Sequence, residues 1–233
     1  GIQDTLDQLA ERVGAELADG YQRIKIKIKP GWDIEAAGRV RRHYPDVPLM
    51  VDANAAYTLA DASHLAELDQ FDLMMIEQPL DYDDVADHAR LQARLRTPIC
   101  LDESLHTVKI AAGAIETGAC RIINIKPGRV GGHGPSIDMH DLAARHAVPV
   151  WHGGMLESGI GRAHNIAIST LAGYTMPGDV SASKRYWHED IIEPAVEVST
   201  EGTITSPEGP GIGFEINRDR IKKATARTVR INV

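Results

Sequence analysis

Arg23-Ile24-Lys25-Ile26-Lys27-Ile28-Lys29 alternates strictly between isoleucine and a basic residue. A period of two marks a β-strand, with Ile24, Ile26 and Ile28 on one face and Lys25, Lys27 and Lys29 on the other. Taken alone, such a strand suits a sheet edge guarded by lysine. The spacing of charged residues further along the chain gives it a second reading. Asp52 ends the apolar run 48–51, Glu77 ends 73–76, Asp102 ends 98–101 and Lys126 ends 122–125. Counted from Lys27, the steps are 25, 25, 25 and 24 residues. Each unit holds a short β-prone run, one charged residue, a turn and a helical segment, which is a repeat of one strand plus one helix.

Working outward, a helical stripe of Leu6, Leu9, Ala10, Val13 and Leu17 is stopped by Asp19-Gly20. Further helices are expected over about 33–42 behind Asp33 as cap, 59–68, 83–95 behind Asp83 or Asp84, 108–117, 136–146 and 161–172. Strands are expected at 23–29, 48–52, 73–77, 98–102, 121–126, 148–151 and, briefly, 174–177. The glycine-rich segment 127–132 reads as a flexible loop, and regular patterning fades after about Ser183.

Alternating strands and helices mean an α/β fold, and near-continuous apolar strands mean a parallel sheet buried on both faces. Charged residues in single file at the strand ends favour a TIM-type (β/α)8 barrel over an open sheet, and in such barrels the reacting groups sit at that end. A doubly wound sheet would want a glycine-rich phosphate loop after the first strand, which is not there. Seven strands are one short of a closed ring. The sequence opens into a helix, with Gly1-Ile2 where a strand would end. The expectation is a barrel domain over residues 1–182 lacking its first strand, and an irregular tail over 183–233.

A chain of 233 residues can bury a substantial core, and 43% hydrophobic with 25% charged residues is ordinary for a soluble globular protein. A net charge of −8 argues against a nucleic-acid surface. No stretch has the apolar length of a membrane span, and the opening residues do not read as a signal peptide. Cys100 and Cys120 form no framework and read as small buried apolar residues, so a reducing, cytoplasmic setting is expected.

On a ring of strands, Asp52, Glu77 and Asp102 fall on three consecutive strands at one height. Converging carboxylates repel unless a cation neutralises them. Oxygen donors suit Mg²⁺, with Mn²⁺ a possible substitute, whereas zinc would want histidine or thiolate. The alternative is three solvated or salt-bridged carboxylates. Lys27 and Lys126 lie four strands apart, on opposite sides. A small carboxylate substrate held between them would meet one amine on each face, an arrangement for removing a proton next to a carboxylate. Lys25 points the same way as Lys27 and either raises the local positive potential or is merely structural.

These residues sit in motifs that together resemble one family. Lys25-Ile26-Lys27, Val51-Asp52-Ala53-Asn54, Ile76-Glu77-Gln78-Pro79, Leu101-Asp102-Glu103-Ser104, the segment 124–132, Trp151-His152-Gly153-Gly154-Met155 with Glu157 and Gly159, and Pro177-Gly178-Asp179 look like the muconate-lactonizing subgroup of the enolase superfamily. The o-succinylbenzoate synthase / N-acylamino acid (N-succinylamino acid) racemase family is the nearest likeness.

The resemblance implies a Mg²⁺ site at Asp52, Glu77 and Asp102 and a catalytic pair at Lys27 and Lys126. It implies Asn54 and Glu103 as partners of the ligands, and Gly153, Gly154 and Met155 in the substrate pocket. Arg129 would meet an acyl or carboxylate group, or lie on a surface loop. The implied activity is dehydration to o-succinylbenzoate, a menaquinone precursor, or exchange of the α-proton of an N-acylated amino acid. Dipeptide epimerase or cycloisomerase activity is the alternative, and an inactive barrel fragment or scaffold the rival of another class. A full-length homo-oligomer is also expected. Family members carry an N-terminal α+β capping domain, which is absent from these residues, as is most of the first barrel strand.

Overall fold

The computed structural model describes residues 2–231; Gly1, expected at the end of a strand, lies outside the described residues. Six parallel strands form one sheet in sequential order: β1 Ile24–Lys27, β2 Leu49–Asp52, β3 Ile76–Glu77, β4 Ile99–Leu101, β5 Ile122–Ile125 and β6 Val150–His152. Helices α1 Leu6–Ala18, α2 Ile34–His43, α3 Ala62–Leu65, α4 Val85–Gln92, α5 Val108–Glu116, α6 Pro127–Val130, α7 His133–Arg145 and α8 Gly159–Ser169 follow the alternation. Thr5 opens α1 with a reciprocal capping box to Gln8, and Asp33 caps α2.

The parity of each strand sorts its side chains. Ile24, Ile26, Leu49, Val51, Ile76, Ile99, Leu101, Ile123, Ile125 and Val150 belong to the large core shared with the helices. Met50, Met75, Cys100, Ile122 and Trp151 form a second cluster, on the other face. Two residues further along, that same face carries Asp52, Glu77, Asp102, Asn124 and Gly153. The charged residues therefore stand above an apolar plug, and Lys25 and Lys27 share their face rather than facing solvent.

The sheet curls until its edges face each other. An isolated parallel bridge joins Val150 to Tyr174 beyond β6, and five residues later Asp179 accepts from Arg23 at 3.0 Å and Lys25 at 2.7 Å, both at β1. This six-stranded parallel half-barrel with helices is the coarse form of the expected architecture.

Several boundaries need correction. The first strand stops at Lys27, because Lys29 pairs with Trp32 across the Pro30-Gly31 turn. The helix expected at 59–68 breaks into a 3-10 turn, the four-residue α3 and a second 3-10 turn Ala66–Phe71. There the Asp69 carboxylate accepts from the Arg96 and Thr97 amides, so tertiary bonds override helical spacing. The third strand covers only Ile76–Glu77, and the expected strand at 174–177 amounts to the single Tyr174 bridge. Segment 127–132, read as a flexible loop, begins with the one-turn α6 and is closed by Gly131 at φ 102°. Helix α7 starts three residues early and α8 two residues early. Beyond residue 183 lie the antiparallel pair β7 Ile192–Glu193 and β8 Glu215–Ile216 and helix α9 Arg218–Ala224. Ile192 and Val196 pack on Ile166 of α8.

Candidate active site

Register places the carboxylates side by side. Lys27 pairs with Asp52 and Asp52 with Glu77 across three adjacent strands, and Asp102 directly follows the fourth. Their carboxylate side chains are at most 2% exposed. Burying three carboxylates is costly unless positive charge comes with them. Here the lysines supply it. Lys27 donates to Asp52 at 2.6 Å, and Lys126 to Asp102 at 2.5 Å. Glu77, between them, accepts from Lys25 at 3.3 Å and from the Asn124 amide at 2.8 Å. Each outer carboxylate thus has one catalytic-candidate lysine on its far side, and the middle one has none. Burial pushes the Glu77 carboxyl above its ordinary pKa, with Lys25 opposing the shift.

Lys25 is held by three carboxylates: Asp179 at 2.7 Å, Glu77 at 3.3 Å and Asp52 at 3.4 Å. Burial alone would lower its pKa, but these charges more than offset that and raise it. Burial likewise works against charge on Asp179, yet Lys25 and Arg23 hold its carboxyl well below the usual range. The Arg23 guanidinium stacks 4.4 Å from the centre of the Trp151 ring, and Lys25 lies 5.2 Å from it.

The surrounding residues lock this arrangement. The Asn54 amide nitrogen donates to Glu103 at 2.7 Å, its backbone N–H donates to Asp52, and its oxygen accepts from Lys27. Asn54 adopts a left-handed conformation at φ 42°, which asparagine tolerates better than most residues. Arg129 is not on the surface. Its side chain, 10% exposed, donates to Asp102, Leu105 O and Asn124 O, and burial lowers its pKa to about 10. Gly153 lies against Asn124 and Lys126: a Cβ there would sit 2.5 Å from Lys126 Cε. Gly154 lies against the Asp179 carbonyl, and Met155 is half exposed at the mouth.

Four contributors have no role assigned to them from the sequence. Gln78, fully buried, accepts from the backbone N–H groups of Asp102 and Ser104, fixing the turn that carries Asp102. Asn124 holds Glu77. Arg23 and Asp179 complete the charge column beneath Lys25. A signal for Asp179 existed: the repeat continued past Lys126 reaches His152 after 26 residues and Asp179 after 27. His152 itself is absent from the cleft wall. It is buried with its ring 6.1 Å from that of Tyr174, and burial lowers its pKa to about 4. His140 is buried, stacked on Tyr174 and accepts from the Gly173 N–H.

The cleft over the site measures about 650 Å³ and is lined by Lys25, Lys27, Asp52, Lys126 and Asp179 among others, a size that suits a small ligand. Among the described residues, no three carboxylate, histidine or cysteine groups are gathered tightly enough to hold a metal ion, and ammonium groups pair with the carboxylates instead. The donor set nevertheless fits a hard divalent cation. It is all oxygen, it is buried, it already binds positive charge, and Glu103 Oε2 and Asn124 Oδ1 are buried oxygens without a partner.

Known proteins resemble this chain over most of its length. The family model described as "Enolase C-terminal domain-like" matches residues 8–220. An o-succinylbenzoate synthase from Geobacillus kaustophilus is 57% identical over 225 residues, which are 97% of this chain and 60% of that protein. An N-succinylamino acid racemase from Thermus thermophilus is 51% identical over 225 residues, 97% of this chain and 61% of that protein. The crystal structure of an enolase-superfamily member from Enterococcus faecalis superposes with a TM-score of 0.91 at 45% identity, covering 96% of this chain and 60% of that one. The chain spans about 60% of the length of the curated relatives it matches.

Proposed function

This chain belongs to the enolase superfamily, and from that premise we propose that the protein carrying it is a Mg²⁺-dependent o-succinylbenzoate synthase, N-succinylamino acid racemase, or both. The observation that supports the reading is the placement of Lys27 on Asp52 and Lys126 on Asp102, either side of Glu77. The family generally binds a divalent metal. Here Asp52, Glu77 and Asp102 would hold it, and when bound it supplies positive charge to a substrate carboxylate. Lys27 and Lys126 then address the α-carbon from opposite faces. In racemisation, one amine takes the α-proton and the ammonium across the cleft returns one to the other face. In dehydration the same abstraction is followed by loss of the neighbouring hydroxyl, which takes a proton from the ammonium just formed and leaves as water, giving the aromatic product. Lys25 stays charged beside them. Gly153 leaves room for Lys126, and Arg129 steadies Asp102.

We place closure of the full (β/α)7β barrel between the free edge of β1 and segment 174–179, with the remaining strand and an α+β capping domain contributed from outside these residues. Residues 1–182 form the barrel domain in this reading, and 183–233 the tail that supports the cap. Met155 and Leu156, 51% and 72% exposed at the mouth, are apolar residues a cap would cover and so exclude water from the site. No helix among the described residues is long and apolar enough to cross a membrane, and we propose a cytoplasmic homo-oligomer acting on a small carboxylate. The test is to assay the full-length protein on the synthase substrate and on N-succinylamino acids side by side, with Mg²⁺ and with chelator. Metal-dependent turnover of at least one is expected. Turnover of a dipeptide or of muconate alone contradicts the assignment, and no turnover of any of them favours an idle barrel.

A further inference from the structure

We infer that Asp179 is a positioning residue whose task is to keep the Lys25 ammonium off the Asp52–Glu77 pair, so that a divalent cation can take it. The inference rests on the proposed metal site. Lys25 has three carboxylate neighbours, and Asp179 is the nearest, at 2.7 Å against 3.3 and 3.4 Å. The other two are the proposed ligands Asp52 and Glu77. A cation arriving there must displace the lysine, and Asp179 offers that lysine a place to stay.

Asp179 is well held for the purpose. Its backbone N–H donates to His152 O at 2.7 Å, tying it to the end of β6. Gly154 packs on its carbonyl so closely that a Cβ at residue 154 has no room. On the other side its carboxylate also accepts from Arg23 at 3.0 Å, whose side chain is 3% exposed and stacked over Trp151. Arg23 thus fixes the carboxylate from below while Lys25 leans on it from above. Without Asp179, Asp52 and Glu77 are the only carboxylates paired with Lys25 among the described residues, and the ammonium becomes a competitor for the cation.

The experiment is a double-mutant cycle on Mg²⁺ affinity, measured by calorimetry without substrate on the full-length protein. Asp179→Asn is expected to weaken binding about tenfold, the middle of the range for contacting charged groups. In a Lys25→Met background the same substitution is expected to have little effect, because no lysine remains to compete. An equal loss in both backgrounds means that Asp179 acts only through its own charge, and overturns the inference. So does unchanged affinity in Asp179→Asn. If Asp179→Asn alone does not fold, because Arg23 loses its counter-ion, the cycle is run in Arg23→Met, with the same two outcomes deciding. Failure of the metal site itself looks different: wild-type protein then binds no divalent ion, or Glu77→Gln leaves its binding intact.

Discussion

Asp52 and Glu77 are register partners on adjacent parallel strands, and both form ion pairs with the ammonium of Lys25, at 3.4 and 3.3 Å. Two buried carboxylates sharing one cation form a site that an ion of higher charge can take over. Glu77 is the deeper of the two, fully buried, with burial raising its pKa. Glu77→Gln keeps the shape and removes a charge that is costly to bury. It is expected to leave the metal-free protein no less stable in urea, while Mg²⁺ affinity by calorimetry falls at least about tenfold, the lower end for disturbed metal sites. Unchanged affinity removes Glu77 from the metal site.

Gly153 leaves space that Lys126 uses. An alanine Cβ would meet Lys126 Cε at 2.5 Å and press on Asn124, which holds Glu77. Gly153→Ala is expected to lower kcat about 100-fold, as a misplacement near 1 Å does. Stability should fall only about 1–3 kcal/mol, the usual cost of overpacking. Steady-state kinetics together with urea denaturation checks this, and normal kcat shows that Lys126 does not need its present position.

How much of the site is legible in the sequence depends on how directly each residue follows from chain geometry. One strand, one turn and one helix take about 25 residues, so Asp52, Glu77 and Asp102 announce themselves by spacing. The parity of Ile24 to Lys27 puts Lys25 and Lys27 on one face, although parity alone does not say whether that face looks at solvent or at a ring of carboxylates. Asp179 is harder. Pro177 stands two residues before it, Tyr174 makes an isolated bridge to β6, and the apolar run that flags the other units is missing. Gln78 and Asn124 are uncharged and work through hydrogen bonds that leave no mark in charge or periodicity. The broken helix at 59–71 is unreadable for a similar reason, since the partners of Asp69 lie 27 and 28 residues away.

The helix cap at Asp33 gives a pH prediction away from the site. Its carboxylate accepts from the Tyr57 hydroxyl, the Ile34 N–H and the His64 ring. Burial alone would raise its pKa; His64, Ile34 and Tyr57 together bring it below the ordinary value. The bond to Asp33 raises the pKa of His64. A depressed carboxylate stabilises the fold above its ordinary pKa, about 4, and that contribution is lost as pH falls through the folded value. A raised histidine stabilises below its ordinary pKa, about 6.5, and its contribution is lost as pH rises through the folded value. Urea midpoints across pH should therefore lose part of their acid-side fall in Asp33→Asn and part of their fall above the ordinary histidine pKa in His64→Ala. Parallel profiles for wild type and both variants contradict the assignment.

If Lys27 and Lys126 approach one α-carbon from opposite sides, α-proton exchange in D2O tells the two amines apart. The full-length protein, its Lys27→Ala variant and its Lys126→Ala variant are each incubated with the separate enantiomers of an N-succinylamino acid and followed by NMR. Neither variant should racemise. Each should still exchange the α-proton of one enantiomer only, and the enantiomer should differ between the two variants. Exchange of both enantiomers in either variant, or of the same enantiomer in both, contradicts two lysines facing each other across the site.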